Sequence, residues 1–115
     1  MPDIDGLVQS TLEMLGTPVS RLFYKGDETT YITFQRILGR ENAFADDDGT
    51  AYEHYFRCDI YSRDNYTELL KGTLKALKDA GFYGITVNAE LYEHDSGFFH
   101  ISVDFEYMEV KQWQQ

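Results

Sequence analysis

The chain has a single cysteine, Cys58, among its 115 residues, so no internal disulfide can form and a hydrophobic core must hold the fold. Cys58 falls on the apolar side of a strand-like run, which predicts a reduced, buried thiol. Bases are scarce as well. Ten Lys and Arg stand against 20 Asp and Glu, a formal charge of −10. Binding nucleic acid through its phosphates needs clustered Lys and Arg, and this balance argues against it. No apolar run reaches membrane-spanning length, and no basic–apolar–small leader follows Met1. The chain therefore reads as a cytosol-made protein without an export signal or a membrane partner. Repeats and low-complexity tracts are also missing, and the length predicts one domain over residues 1–115.

Aromatic residues, in contrast, are abundant at 16%, with nine Tyr and eight Phe set mostly in strand-like runs. They suit a half-buried antiparallel sheet with large cross-strand pairs, and strand faces buried against neighbouring subunits. Residues 51–92 organise the chain as strand, helix, strand. Phe56, Cys58 and Ile60 alternate with Tyr55, Arg57, Asp59 and Tyr61, giving one face to a core and the other to water or a partner. Asp64 or Asn65 offers an N-cap. Tyr66, Leu69, Leu70, Thr73, Leu74, Leu77 and Ala80 then fall three and four apart, and Gly81 ends the helix. From Phe82 the period returns to two, with Ile85, Val87, Ala89 and Leu91 against Thr86, Asn88 and Glu90.

Ahead of this unit, Ile4, Leu7, Val8, Leu12 and Leu15 make a helical stripe with Asp3 as cap and Gly16 as stop. Thr17-Pro18 forces extended backbone, Val19 to Tyr24 reads as a short strand, and Lys25-Gly26-Asp27 as the turn of a hairpin into a second strand from Thr30 to Leu38. Adjacent Ile37 and Leu38 break the alternation, which marks a bulge or a strand end. Residues 39–50 have no period and read as a mobile loop. In the last strand Phe99, Ile101, Val103, Phe105 and Tyr107 oppose His100, Ser102, Asp104 and Glu106, and residues 109–115 read as a frayed tail. The expected fold is α+β: a mixed, mostly antiparallel sheet of four to five strands with two helices packed on one face, in the order α-β-β-β-α-β-β. Its expected core is Phe56, Ile60, Leu70, Leu74, Leu77, Val87, Phe99, Ile101 and Val103.

Candidate chemistry is thin. Asp46-Asp47-Asp48-Gly49-Thr50 resembles part of a calcium loop, but the position for its bidentate Glu falls on Arg57. His54, His94 and His100 are not spaced as metal ligands, and neither they nor Cys58 come with a nucleophile–base set. His100 is expected on the polar face beside Glu90 or Asn88. Glu90, Asp104 and Glu106 put carboxylates on the outer face of the last hairpin, either solvated or forming the acidic wall of an assembly. Lys71, Lys75 and Lys78 line one side of the central helix near Glu68 and Asp79, where i,i+3 and i,i+4 pairs form. No catalytic residue, cofactor or metal is assigned, and the chain reads as a non-enzyme.

The element order and several phrases resemble the small neck proteins of long-tailed bacteriophages and prophages, the tail-terminator, tail-completion or head–tail joining proteins. The phrases are Tyr31-Ile32-Thr33-Phe34, Ala45-Asp46-Asp47, Asp59-Ile60-Tyr61-Ser62, Leu77-Lys78-Asp79-Ala80-Gly81-Phe82 and Leu91-Tyr92-Glu93-His94-Asp95, within residues 16–108. The resemblance implies a virion protein assembled in the host cytoplasm, a homo-oligomeric ring (typically a hexamer) stacked between tail tube and head connector. DNA passes through such a ring without specific binding. It implies no enzyme activity and no cofactor. On this reading Phe44, Asp46, Asp47, Asp48, Tyr55, Tyr61, Lys71 and Lys75 are candidate interface residues, and Glu90, Asp104 and Glu106 candidate lumen-facing ones. The rival from another class is a small acidic DNA mimic that inhibits a nucleic-acid-binding protein.

Overall fold

A computed structural model describes residues 3–43 and 50–110. Two helices, α1 (Ile4–Glu13) and α2 (Thr67–Asp79), lie with six strands: β1 (Val19–Arg21), β2 (Thr30–Ala43), β3 (Thr50–Ser62), β4 (Tyr83–Val87), β5 (Leu91–Glu93) and β6 (Phe98–Val110). The strands form one mixed sheet in the order β1-β2-β3-β6-β4, with β5 also paired to β6. The α+β architecture and the element order match the sequence reading, with one strand more.

Alternation in β2, β3 and β6 fixes the core through cross-strand rows. Ile32, Ile60 and Ile101 stand side by side, then Phe34, Cys58 and Val103, then Arg36, Phe56 and Phe105. Ile4, Val8 and Leu12 of α1 and Leu77 of α2 close over these rows. The sheet thus has an inner face beneath the helices and an outer face without them. Asp3 caps α1 by accepting from the Gly6 N–H at 3.0 Å. At α2 the N-cap is Tyr66, whose side chain makes no capping bond, and not Asp64 or Asn65 as expected; Asn65, one residue earlier, accepts from the Thr67 N–H at 2.9 Å. Gly81, at φ +98, takes the left-handed turn that ends this helix.

Four expectations need correction. The β1–β2 unit is not a hairpin: the strands run parallel, with Val19 opposite Ile32 and Arg21 opposite Phe34. Leu22, at φ 72, turns the chain off the sheet edge, and Tyr24 stacks back on Tyr31, so β2 starts from the same end as β1. Second, the expected fourth strand is two. Gly84, at φ +60, sits in a register shift between Tyr83 and Thr86, where a Cβ would run into the Glu106 carboxylate. This bulge and the break before β5 leave Val87 on an edge, 42% exposed, instead of in the core, and Leu91 58% exposed. Third, Leu70 and Leu74 are only partly buried, because α2 turns its Thr73–Leu77 line deepest onto the sheet, and Phe99 of β6 is also only partly buried, against Tyr66 and Tyr92. Fourth, residues 39–43 and Thr50 belong to strands, since the β2–β3 ladder continues to Ala43 opposite Thr50. Residues 109 and 110, expected in the tail, likewise extend β6 opposite Tyr52 and Ala51. The irregularity at Ile37 is a bulge, as the broken alternation anticipated: the register shifts between Arg36 and Leu38.

The three long strands outrun the helices. The molecule measures 55 × 23 × 22 Å, and β2 alone, at about 3.3 Å per residue, accounts for most of its length. Beyond the Arg36–Phe56–Phe105 row, β2, β3 and β6 continue as a three-stranded arm.

Candidate functional site

The outer face is polar and internally bonded. Its rows are Tyr31–Tyr61–His100, Thr33–Asp59–Ser102 and Gln35–Arg57–Asp104. The aromatic members stack across the sheet, Tyr24 on Tyr31 at 4.3 Å, Tyr31 on Tyr61 at 5.0 Å and Tyr61 on His100 at 4.2 Å. Asp59 Oδ1 accepts from His100 Nε2 at 2.8 Å and from Ser102 Oγ at 2.9 Å. His100 therefore meets Asp59 and stands opposite Leu91, not beside Glu90 or Asn88 as expected. The serine proton goes to the carboxylate and not to the imidazole, so this trio is no nucleophile–base relay. These groups floor a depression of about 410 Å³ rimmed by Leu22 and Leu91.

Arg57 donates two bonds to Asp104, Nε to Oδ1 at 2.6 Å and Nη2 to Oδ2 at 3.1 Å. The guanidinium holds the Asp104 carboxyl below its ordinary range, hydrogen bonding outweighing partial burial. A depressed folded-state pKa contributes stability above the unfolded value, and loses it as pH falls through the folded value. Asp104→Asn is therefore expected to cost up to about 1 kcal/mol at neutral pH, the pair being partly solvated. In urea titrations the gap to the parent chain should close below about pH 4; a gap unchanged down to strongly acid pH would contradict this.

At the root of the arm a chain of polar groups crosses three strands on the inner face. Asp5 of α1 accepts from Arg36 Nη2 at 3.2 Å, Arg36 Nη1 meets His54 Nδ1 at 2.7 Å, and His54 Nε2 meets Glu109 Oε1 at 2.9 Å. His54 and Glu109 are 6% and 9% exposed. The partners dictate the tautomer. Arginine only donates, so Nδ1 must accept, and Nε2 carries the proton given to Glu109. His54 is thus a neutral imidazole locked between a cation and an anion. Arg36 also lies over the Phe56 ring at 4.7 Å. The sequence reading missed this cluster, although Arg36 and His54 share the parity of the core residues beside them.

The expected site residues do not converge. Phe44, Asp46, Asp47 and Asp48 lie outside the described residues. Tyr55, on the outer face of the arm, bonds Glu53 and Arg40, while Tyr61 sits near the other end of β3 in the aromatic stack. Lys71 and Lys75 make helix-surface pairs with Glu68 at 3.7 Å and Asp79 at 2.8 Å. Asp104 and Glu106 share the outer face of β6, but Glu90 turns away to accept a hydrogen bond from Tyr66 of the α2 entry. Burial and that bond push the Tyr66 hydroxyl up to about 12. Cys58 is fully buried, which pushes its thiol up and leaves it unreactive. Among the described residues no three His, Cys, Asp or Glu side chains gather as a metal site, and no helix is long and apolar enough to cross a membrane.

No protein-family model and no curated protein matches the chain. Among solved structures, a chain described under "Virion of native gene transfer agent (GTA) particle" is similar to it, with a TM-score of 0.58 over 90% of this chain and 92% of that one, at 15% identity. At that identity the likeness is one of fold.

Proposed function

We propose that this chain is a structural subunit of a phage-like virion, a tail-terminator or head–tail joining protein that closes a homo-oligomeric ring through which DNA passes. The observation that carries the reading is the match of nearly the whole fold, end to end in both chains, to a component of a gene transfer agent virion. The local phrases that resemble those of phage neck proteins point the same way. A sheet whose arm lacks helices and flanking strands among the described residues suits a subunit completed by its neighbours. The charge of −10 suits a channel in which DNA slides without sticking. A DNA mimic, the rival, needs free carboxylates at regular spacing, whereas Asp59, Asp104 and Glu109 are each committed to partners within the chain.

Changing Asp46, Asp47 and Asp48 together to Asn separates the two. The ring reading expects a folded protein that does not bind free duplex DNA, with any defect confined to particle assembly or DNA passage. Loss of a salt-sensitive complex with a basic nucleic-acid-binding protein, by a chain that is monomeric throughout, would instead favour the mimic.

A further inference from the structure

The arm has two open edges. β1 pairs with β2 only as far as Phe34, and β4 reaches along β6 only to Glu106 at the arm's root. Among the described residues the outward edges of β2 over residues 35–43 and of β6 over residues 107–110 have no strand beside them. The two edges cannot meet within one chain, because β3 lies between them and spaces them roughly 10 Å apart. Each runs antiparallel to β3, so both point the same way.

Rotation about an axis along the strands keeps that direction. It brings the β6 edge of one copy against the β2 edge of the next, where a parallel ladder can continue the sheet. The side chains agree with unlike edges meeting. Ile37 and Leu38 on β2 are 44% and 50% exposed, and Met108 and Val110 on β6 are 40% and 50% exposed. Of the distal charges on β2, Arg36 turns inward to Asp5 and His54, while Arg40, bonded to Glu53 of its own chain, stays 58% exposed; on distal β6 Glu109 is held by His54, and Glu106 lies on the outer face. Pairing β6 with β6 sets Glu106 beside Glu106; pairing β6 with β2 sets it toward the exposed Arg40 instead. Neither edge has the proline or lysine that guards a solvent-facing strand, and the bulge at Ile37 leaves residues 38–43 in regular register with β3.

We propose that copies of this chain join head to tail through these edges, the distal β6 of one copy pairing in parallel with the distal β2 of the next. The inference rests on the ring reading for closure, since a heterologous contact that does not close grows into a filament. Two exposed-site variants test it: Ile37→Lys with Leu38→Lys blocks the β2 edge, and Met108→Lys with Val110→Lys blocks the β6 edge. Far-ultraviolet circular dichroism checks that both stay folded, and native mass spectrometry reads the assembly. Each variant alone should be monomeric where the parent chain is oligomeric, and an equimolar mixture should form a heterodimer, because one intact edge of each kind remains. Oligomers that persist in either variant, homodimers of one of them, no heterodimer on mixing, or a parent chain that stays monomeric at high concentration would overturn the inference. Should both variants retain a closed ring, only the interface is wrong. Should the heterodimer form while the parent yields open filaments, the interface stands and the ring reading falls.

Discussion

Phe56→Ala is expected to cost about 3–5 kcal/mol and to lower the melting temperature by more than about 10 °C. Phe56 is 0% exposed, stacks on Phe105 at 5.7 Å and carries the Arg36 guanidinium on its ring. It is also the last fully buried apolar residue of β3 before the arm, so the cavity opens where the helix-covered core hands over to the polar cluster. The neighbouring rings belong to strands held on both sides and have little room to collapse into the gap. Equilibrium urea unfolding gives the number. A loss under about 1 kcal/mol would mean that the core ends one row earlier than described.

The second large effect belongs to His54→Leu, expected to cost about 3 kcal/mol although it adds apolar surface. The substitution strands the buried Glu109 carboxylate without a donor, and leaves Arg36 Nη1 without its acceptor. Glu109→Gln keeps an acceptor for the Nε2 proton and should cost only about 1 kcal/mol. Unfolding curves of the two variants give the comparison, and nitrogen-detected NMR of the imidazole adds a check that packing alone does not move. His54 should show a protonated Nε2 and a bare Nδ1 at neutral pH. The opposite tautomer, or a His54→Leu chain as stable as the parent, would refute the cluster.

Much of the fold was legible because β3 and β6 alternate without a break. In β3 and β6 every inward residue from Phe56 to Ile60 and from Ile101 to Phe105 was assignable from parity, and the pair Ile37-Leu38 marked the bulge. Strand direction was not legible at β1. A turn-like Lys25-Gly26-Asp27 fits a hairpin, but Leu22 takes a left-handed conformation that no local preference of leucine foretells. The split between β4 and β5 was hidden for a related reason: Ile85, Val87 and Leu91 keep an apolar rhythm while the Gly84 bulge shifts their register. The polar cluster joins residues separated by 18, 31 and 55 positions, so only the strand register and the docking of α1 bring Arg36, Asp5, His54 and Glu109 together. The one local signal was a charged or titratable residue on core parity, which is a cost unless partners wait across the sheet. Composition spoke to what the chain avoids, whereas which face meets a partner depends on where helices stop covering the sheet.

The ring is tested most directly by the native mass of the chain, alone and recovered from tailed particles. A ring-forming subunit gives a closed oligomer in the particle-derived sample, a fixed multiple of the 13.4 kDa subunit that does not grow with concentration. A single 13.4 kDa species in both samples, or a continuous ladder of masses without a preferred size, would contradict it.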